Sequence, residues 1–166
     1  MIVARRLTAL LLATAALVAT IATLAAQPSD TSAFGRRLYH DKAQCSFCHG
    51  WAADGAGEPQ SNGGAANLRQ SFLNREQLIE VIMCGRPATP MPHFDEDAYT
   101  DKRCYGMTLD ELGKDAPPMG EFLASREIDA VVKYLFAKAI GHDAATYEDC
   151  VDFWGKDTRE CEPMKK

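Results

Sequence analysis

The chain has 166 residues, 46% of them apolar in type, and 18 basic against 23 acidic side chains give a formal charge of −5. That length accommodates one compact core rather than two. The acidic balance excludes a protein that grips nucleic acid through its phosphates, and suits either solubility or a partner with a basic face.

Residues 1–26 read as an export signal. Arg5 and Arg6 lead an uncharged apolar stretch that ends in small residues, with cleavage fitting after Ala25 or Ala26. Leu7 to Ala26 also approaches the roughly 20 residues of a bilayer span. An uncleaved anchor is the lesser reading, because the stretch is rich in Ala and Thr. Removing it takes away two arginines and no acid, leaving 16 basic against 23 acidic residues and a charge of −7.

The mature chain reads as helical throughout. Residues 31–44 pair Phe34 with Leu38 in a short amphipathic helix, and 50–68, dominated by Gly, Ala, Asn and Pro, reads as loop. Asn74 and Gln77 form a capping box for a helix whose apolar face is Leu78, Ile79, Ile82 and Met83, stopped by Gly85. A polar insertion over about 93–118 holds one short helix, capped by Thr108 and Glu111. Ser125 caps the longest helix, in which Ile128, Val131, Val132, Leu135, Phe136, Ala139 and Ile140 repeat at helical spacing up to Gly141. The domain therefore spans 27–142, followed by an extension over 143–166 with a helix from Tyr147 to Trp154. No strand pattern occurs, so the class is all-α.

Six cysteines follow the signal, and outside the cytoplasm each needs a partner or a ligand. Cys45, Cys48 and His49 form a C-x-x-C-H motif. A zinc site lacks a second ligand pair, and a redox-active thiol pair wants a preceding strand where helix is expected. Haem c explains the order of the residues: two thioethers fix the porphyrin, and the adjacent histidine meets the iron. The remaining four cysteines allow three pairings, of which Cys84–Cys104 and Cys150–Cys161 are favoured by sequence proximity alone. The alternative ties the C-terminal pair back to Cys84 and Cys104.

The second axial position has several candidates. Met91 lies between Pro90 and Pro92, which stiffen the loop that presents its thioether. Met119 also follows prolines and is the main rival, with His93, Met107 or an open site behind it. Any of these methionines also serves as a core gap-filler.

Together these features resemble the class I cytochrome c family over nearly all of the mature chain. "GRRLY" resembles its N-terminal helix, "CSFCHG" its haem site, "GRPATPMP" its methionine loop and "REIDAVVKYL" its C-terminal helix. The resemblance implies the class I cytochrome c fold, one covalent haem c, His49 and Met91 as axial ligands, and Gly35 against Tyr134 where the terminal helices cross. Ala66 stands where the family usually has a proline whose carbonyl accepts from the proximal imidazole. The insertion, with "MPHFD", "AYTD" and "RCYGMT", resembles the periplasmic cytochromes that accept electrons from PQQ-dependent alcohol dehydrogenases, in particular the lanthanide-dependent methanol dehydrogenases. That resemblance implies a monomeric periplasmic electron carrier rather than an enzyme, with such a dehydrogenase as donor and a downstream cytochrome c or oxidase as acceptor.

Ser46 and Phe47 are then expected beside the docking surface, and Trp51, Arg86, Lys102, Arg103 and Tyr105 are candidates for the haem surroundings. Asp95, Glu96, Asp97 and Asp101 read first as a solvated loop face, next as a steering patch for a basic partner, and last as ligands for Ca2+. The competing functions are a haem enzyme or sensor with a labile sixth ligand, and a membrane-anchored subunit of an oxidase complex.

Overall fold

The computed structural model describes residues 31–61 and 64–165; the expected export segment lies outside them. In chain order the α-helices are α1 (Thr31–Arg37), α2 (Cys45–His49), α3 (Arg75–Cys84), α4 (Leu109–Leu112), α5 (Ser125–Lys138) and α6 (Tyr147–Trp154). α1 does not stop cleanly but widens into a π-helical turn over Leu38–Lys42, closed by the Ala43 N–H on the Leu38 carbonyl at 2.8 Å. Tight 3-10 turns cover Leu68–Gln70, Gly113–Asp115 and Arg159–Met164. Among the described residues there is no strand, only isolated bridges joining His93 to Met119 and Cys104 to Met107.

The crossing of α1 on α5 organises the core. A Cβ built on Gly35 would overlap the Ala130 carbonyl oxygen and lie 2.6 Å from Tyr134 Cβ, so only glycine lets the two backbones approach this closely. Leu38 and Tyr39 on one side and Ile128, Val131, Val132 and Leu135 on the other are buried there, with Leu78 and Ile82 of α3 completing one cluster. The i, i+3, i+4 spacing of the apolar residues in α5 is what puts them on one face.

α3 begins as its capping box requires: Asn74 Oδ1 accepts from the Gln77 N–H at 2.9 Å, and Gln77 Oε1 from the Asn74 N–H at 3.0 Å. α5 starts one residue away from expectation. Ser125 is its first helical residue rather than its cap, and Glu127 provides the acceptor, taking the Ala124 N–H at 2.9 Å and Lys42 Nζ at 2.7 Å. Lys42, with smaller help from that N–H, holds the Glu127 carboxyl below its ordinary range against the opposing effect of burial.

A depressed carboxylate stabilises the fold above its unfolded pKa, and that contribution is lost as pH falls through the folded value. Glu127→Gln is therefore expected to cost about 1 kcal/mol at neutral pH. In urea unfolding curves taken from pH 7 downward, the gap to the parent should close as the pH drops below the lowered value. A gap that persists there would assign the loss to packing instead.

Two segments are added to this core. The insertion has its own small buried cluster of Cys84, Ala98, Tyr99 and Cys104, built around the Cys84–Cys104 disulfide. The C-terminal extension carries α6, capped by Thr146 and Asp149, and is closed by the Cys150–Cys161 disulfide. Phe153 of α6 is buried in the main core, its carbonyl takes Arg36 Nη1, and Lys138 pairs with Asp152 at 2.7 Å. The extension is thus packed onto α1 and α5.

Candidate cofactor site

Cys45, Cys48 and His49 lie on the single turn α2, where i, i+3 and i+4 spacing sets all three on one side. The turn is made by backbone that few side chains favour. Gln44 immediately before it is left-handed at φ 51°, and Gly50 immediately after it has φ 77°. Its exit is fixed by the Tyr39 hydroxyl donating to the Gly50 carbonyl at 2.8 Å, and by the Gly55 N–H on the His49 carbonyl at 2.9 Å.

Both thiols of α2 are free, whereas the other four cysteines are paired. Burial pushes the Cys45 thiol up to about 12, so it is held protonated. His49 Nδ1 lies 2.9 Å from the Ala66 carbonyl oxygen. A carbonyl only accepts, so Nδ1 carries the proton and Nε2 keeps its lone pair, the tautomer a metal-binding imidazole needs. Burial lowers the His49 pKa, outweighing the Ala66 hydrogen bond, and the nearby Arg86 cation lowers it further. The ring is therefore kept neutral. Two free thiols and one unprotonated imidazole nitrogen on one turn fit haem c. Cys45, Leu68, Met83 and Met91 are all half-buried and pack against the same main core.

Ser46 is 1% exposed. Its hydroxyl donates to Glu58 Oε1 at 3.0 Å, so the His40 Nδ1–H, 2.9 Å away, donates to Ser46 Oγ. The His40 ring in turn meets Phe153 and Trp154 edge-on, with centroids 5.3 and 5.1 Å apart. Ser46 therefore belongs to the interior, tying the turn to the C-terminal extension, while its neighbour Phe47 is exposed. Neither His40 nor Glu58 stands out in the sequence, because their link runs through a serine whose burial no local pattern announces.

The Met91 loop is held from several sides. The Arg86 N–H donates to the Met91 carbonyl at 3.2 Å, the Met91 N–H to Thr89 Oγ1 at 3.2 Å, and the Ala88 N–H to the Asp115 carbonyl at 2.7 Å. A Cβ on Gly85 would lie 2.7 Å from the Met91 carbonyl oxygen, so the loop folds back onto its own root. Met119 is 63% exposed and its backbone bridges to His93. His93 Nδ1 donates to the Asp95 carbonyl at 2.9 Å, and its ring packs edge-on against Tyr99.

The remaining candidates differ in exposure: Arg86, Lys102 and Arg103 are exposed, whereas Trp51 and Tyr105 are half-buried. Arg86 lies within electrostatic reach of both His49 and Tyr105. Trp51 packs beside Phe153, with centroids 5.8 Å apart, and the Tyr105 hydroxyl donates to the Gly85 carbonyl at 2.8 Å. Arg103 is engaged on its own segment, with Asp101 at 2.9 Å, Asp97 at 3.3 Å and Asp95 at 3.8 Å. Lys102 pairs with Glu111 at 2.9 Å. The aspartates proposed for steering or for Ca2+ thus surround a guanidinium, and among the described residues no group of three or more His, Cys, Asp or Glu is placed to hold a metal ion.

No helix of the described residues is long and apolar enough to cross a membrane. Residues 31–109, a little under half of the chain, match the family model described as cytochrome C oxidase, cbb3-type, subunit III. No curated protein and no solved structure is significantly similar to the chain.

Proposed function

We propose that this all-α c-type cytochrome holds one haem c through thioethers from Cys45 and Cys48, with His49 and Met91 as axial ligands, and serves in the periplasm as a one-electron carrier. The observation that carries the reading is the His49 Nδ1–H on the Ala66 carbonyl at 2.9 Å, which leaves Nε2 as a lone-pair donor beside two free thiols. When bound, haem c supplies an Fe(III)/Fe(II) couple of one electron. The chain's part is to hold His49 neutral and oriented, to offer Met91 from a loop stiffened by Pro90 and Pro92, and to fix the exit of the attachment turn with the Tyr39 hydroxyl. Keeping both ligands in place in either oxidation state limits the rearrangement that accompanies electron transfer.

The donor we favour is a PQQ-dependent alcohol dehydrogenase acting on methanol, with a downstream cytochrome c or oxidase as acceptor. Likeness of the insertion to cytochromes that serve such dehydrogenases supports it, as does the acidic charge, which suits a basic docking face. Alcohol oxidation releases two electrons, so two molecules of the carrier are reduced per alcohol. The test is reduction of the haem-loaded protein by a purified PQQ methanol dehydrogenase with methanol, over a range of salt concentrations. Reduction should be faster than by unrelated dehydrogenases and should slow as salt screens the encounter. Absent or equally fast reduction by unrelated donors would reject the assignment. Carbon monoxide binding to the reduced protein would instead favour a haem enzyme or sensor.

A further inference from the structure

α3 ends at Cys84, and the last carbonyls of any helix lack partners within it. Here the insertion supplies them. The Phe94 N–H reaches the Ile82 and Met83 carbonyls at 3.2 and 3.1 Å, and the Asp95 N–H reaches Met83 at 3.1 Å. Beyond these, the acceptors are the carbonyls at the very root of the methionine loop. The Tyr99 hydroxyl donates to Cys84 at 2.6 Å, and the Tyr105 hydroxyl to Gly85 at 2.8 Å.

Both tyrosines have left-handed backbones, φ 63° at Tyr99 and φ 53° at Tyr105, a conformation costly for an aromatic residue and kept only where surrounding contacts hold it. The Cys84–Cys104 disulfide lies between them and fixes the distance from helix end to insertion. Farther out, the Ala88 N–H on Asp115 and the His93 pairing with Pro118 and Gly120 close the same loop on its other side. The insertion therefore caps α3 and frames the eight residues from Gly85 to Pro92 at once.

We propose that Tyr99 and Tyr105 are positioning residues for the distal iron ligand: their hydroxyls pin the root of the Met91 loop, so the insertion sets how readily the methionine sulfur is displaced. The inference rests on the reading of Met91 as that ligand. A hydroxyl lost from a buried carbonyl leaves the carbonyl unsatisfied and frees the loop to swing, which favours any small ligand that competes for the iron.

The experiment is imidazole titration of the oxidised, haem-loaded full chain, followed by the visible spectrum, with thermal unfolding measured alongside. Tyr105→Phe and Tyr99→Phe should each bind imidazole about fivefold more tightly than the parent, the equivalent of about one hydrogen bond. Tyr147→Phe, in the extension and away from the loop, should leave the imidazole constant unchanged. Should Tyr99→Phe not accumulate as folded protein, because its ring is buried, Tyr105→Phe alone decides. Lower melting temperatures with an unchanged imidazole constant would overturn the proposal and leave the tyrosines a purely structural role. Met91→Ala separates the two levels. If that variant binds imidazole no more tightly than the parent, the ligand assignment itself fails; if it binds more tightly while Tyr105→Phe does not, only the positioning role fails.

Discussion

Met91→Ala is expected to abolish the long-wavelength methionine-to-iron absorption of the oxidised protein. It should also lower the potential by on the order of 0.1–0.2 V, a fraction of the roughly 0.8 V that axial ligation spans among haem proteins. Met119→Ala should leave both unchanged. The asymmetry follows from how the two residues are held. Met91 is half-buried against the main core, and its carbonyl and N–H are both engaged, so little freedom remains to be lost on coordination. Met119 shares the prolines and is bridged at its backbone to His93, but the residue is 63% exposed and does not pack against the main core. Absorption spectra and a redox titration of the two variants decide between them, and loss of the band in Met119→Ala would transfer the ligand assignment.

Replacing both Cys84 and Cys104 by serine should destabilise the folded protein by about 3 kcal/mol, the scale expected for a closed loop of this length. For a domain of this size that is roughly a 10 °C fall in melting temperature. The haem should remain attached, because neither residue belongs to α2. Limited proteolysis should find its new cleavage sites between Pro92 and Pro118. Both sulfurs are fully buried, so the loss would also open the small cluster of Ala98 and Tyr99 packed around them. An unchanged melting temperature would show that hydrogen bonds alone hold the insertion.

Much of this arrangement was legible because it is encoded locally. The reciprocal pairs Asn74–Gln77 and Thr108–Glu111 announce helix starts within four residues, and the apolar repeat of α5 announces its buried face. The α6 limits likewise follow from a cap and a terminating glycine. The π-helical turn at Leu38–Lys42 was not legible, since nothing in its local sequence separates an i to i+5 turn from an α-helical one. Nor were the positive φ values of Gln44, Tyr99 and Tyr105, which run against propensity and depend on contacts from distant segments. Arg103 illustrates the same limit. Its place beside Cys104 suggested a role near the cofactor, but its charge is taken up by aspartates that the turn brings around it. For the candidate site, the C-x-x-C-H spacing pointed to the donors and the family likeness pointed to the carbonyl at Ala66; what required the fold was that this carbonyl lies 2.9 Å from His49 Nδ1 with alanine in place of the usual proline.

The insertion and the extension also divide the electrical character of the molecule. Residues 93–118 hold seven acids and three bases, and 143–166 seven acids and four bases, whereas 31–92 and 119–142 together hold eight acids and nine bases. The part of the chain that carries the candidate cofactor site is thus close to neutral, and the long-range field belongs almost wholly to the two segments added to it. Orientation in a partner's field and the redox chemistry proposed for the site are then separable properties. Charges on the added segments are free to change partner preference and salt dependence without disturbing that site, provided the two tyrosines and the disulfide at the root of the methionine loop are kept.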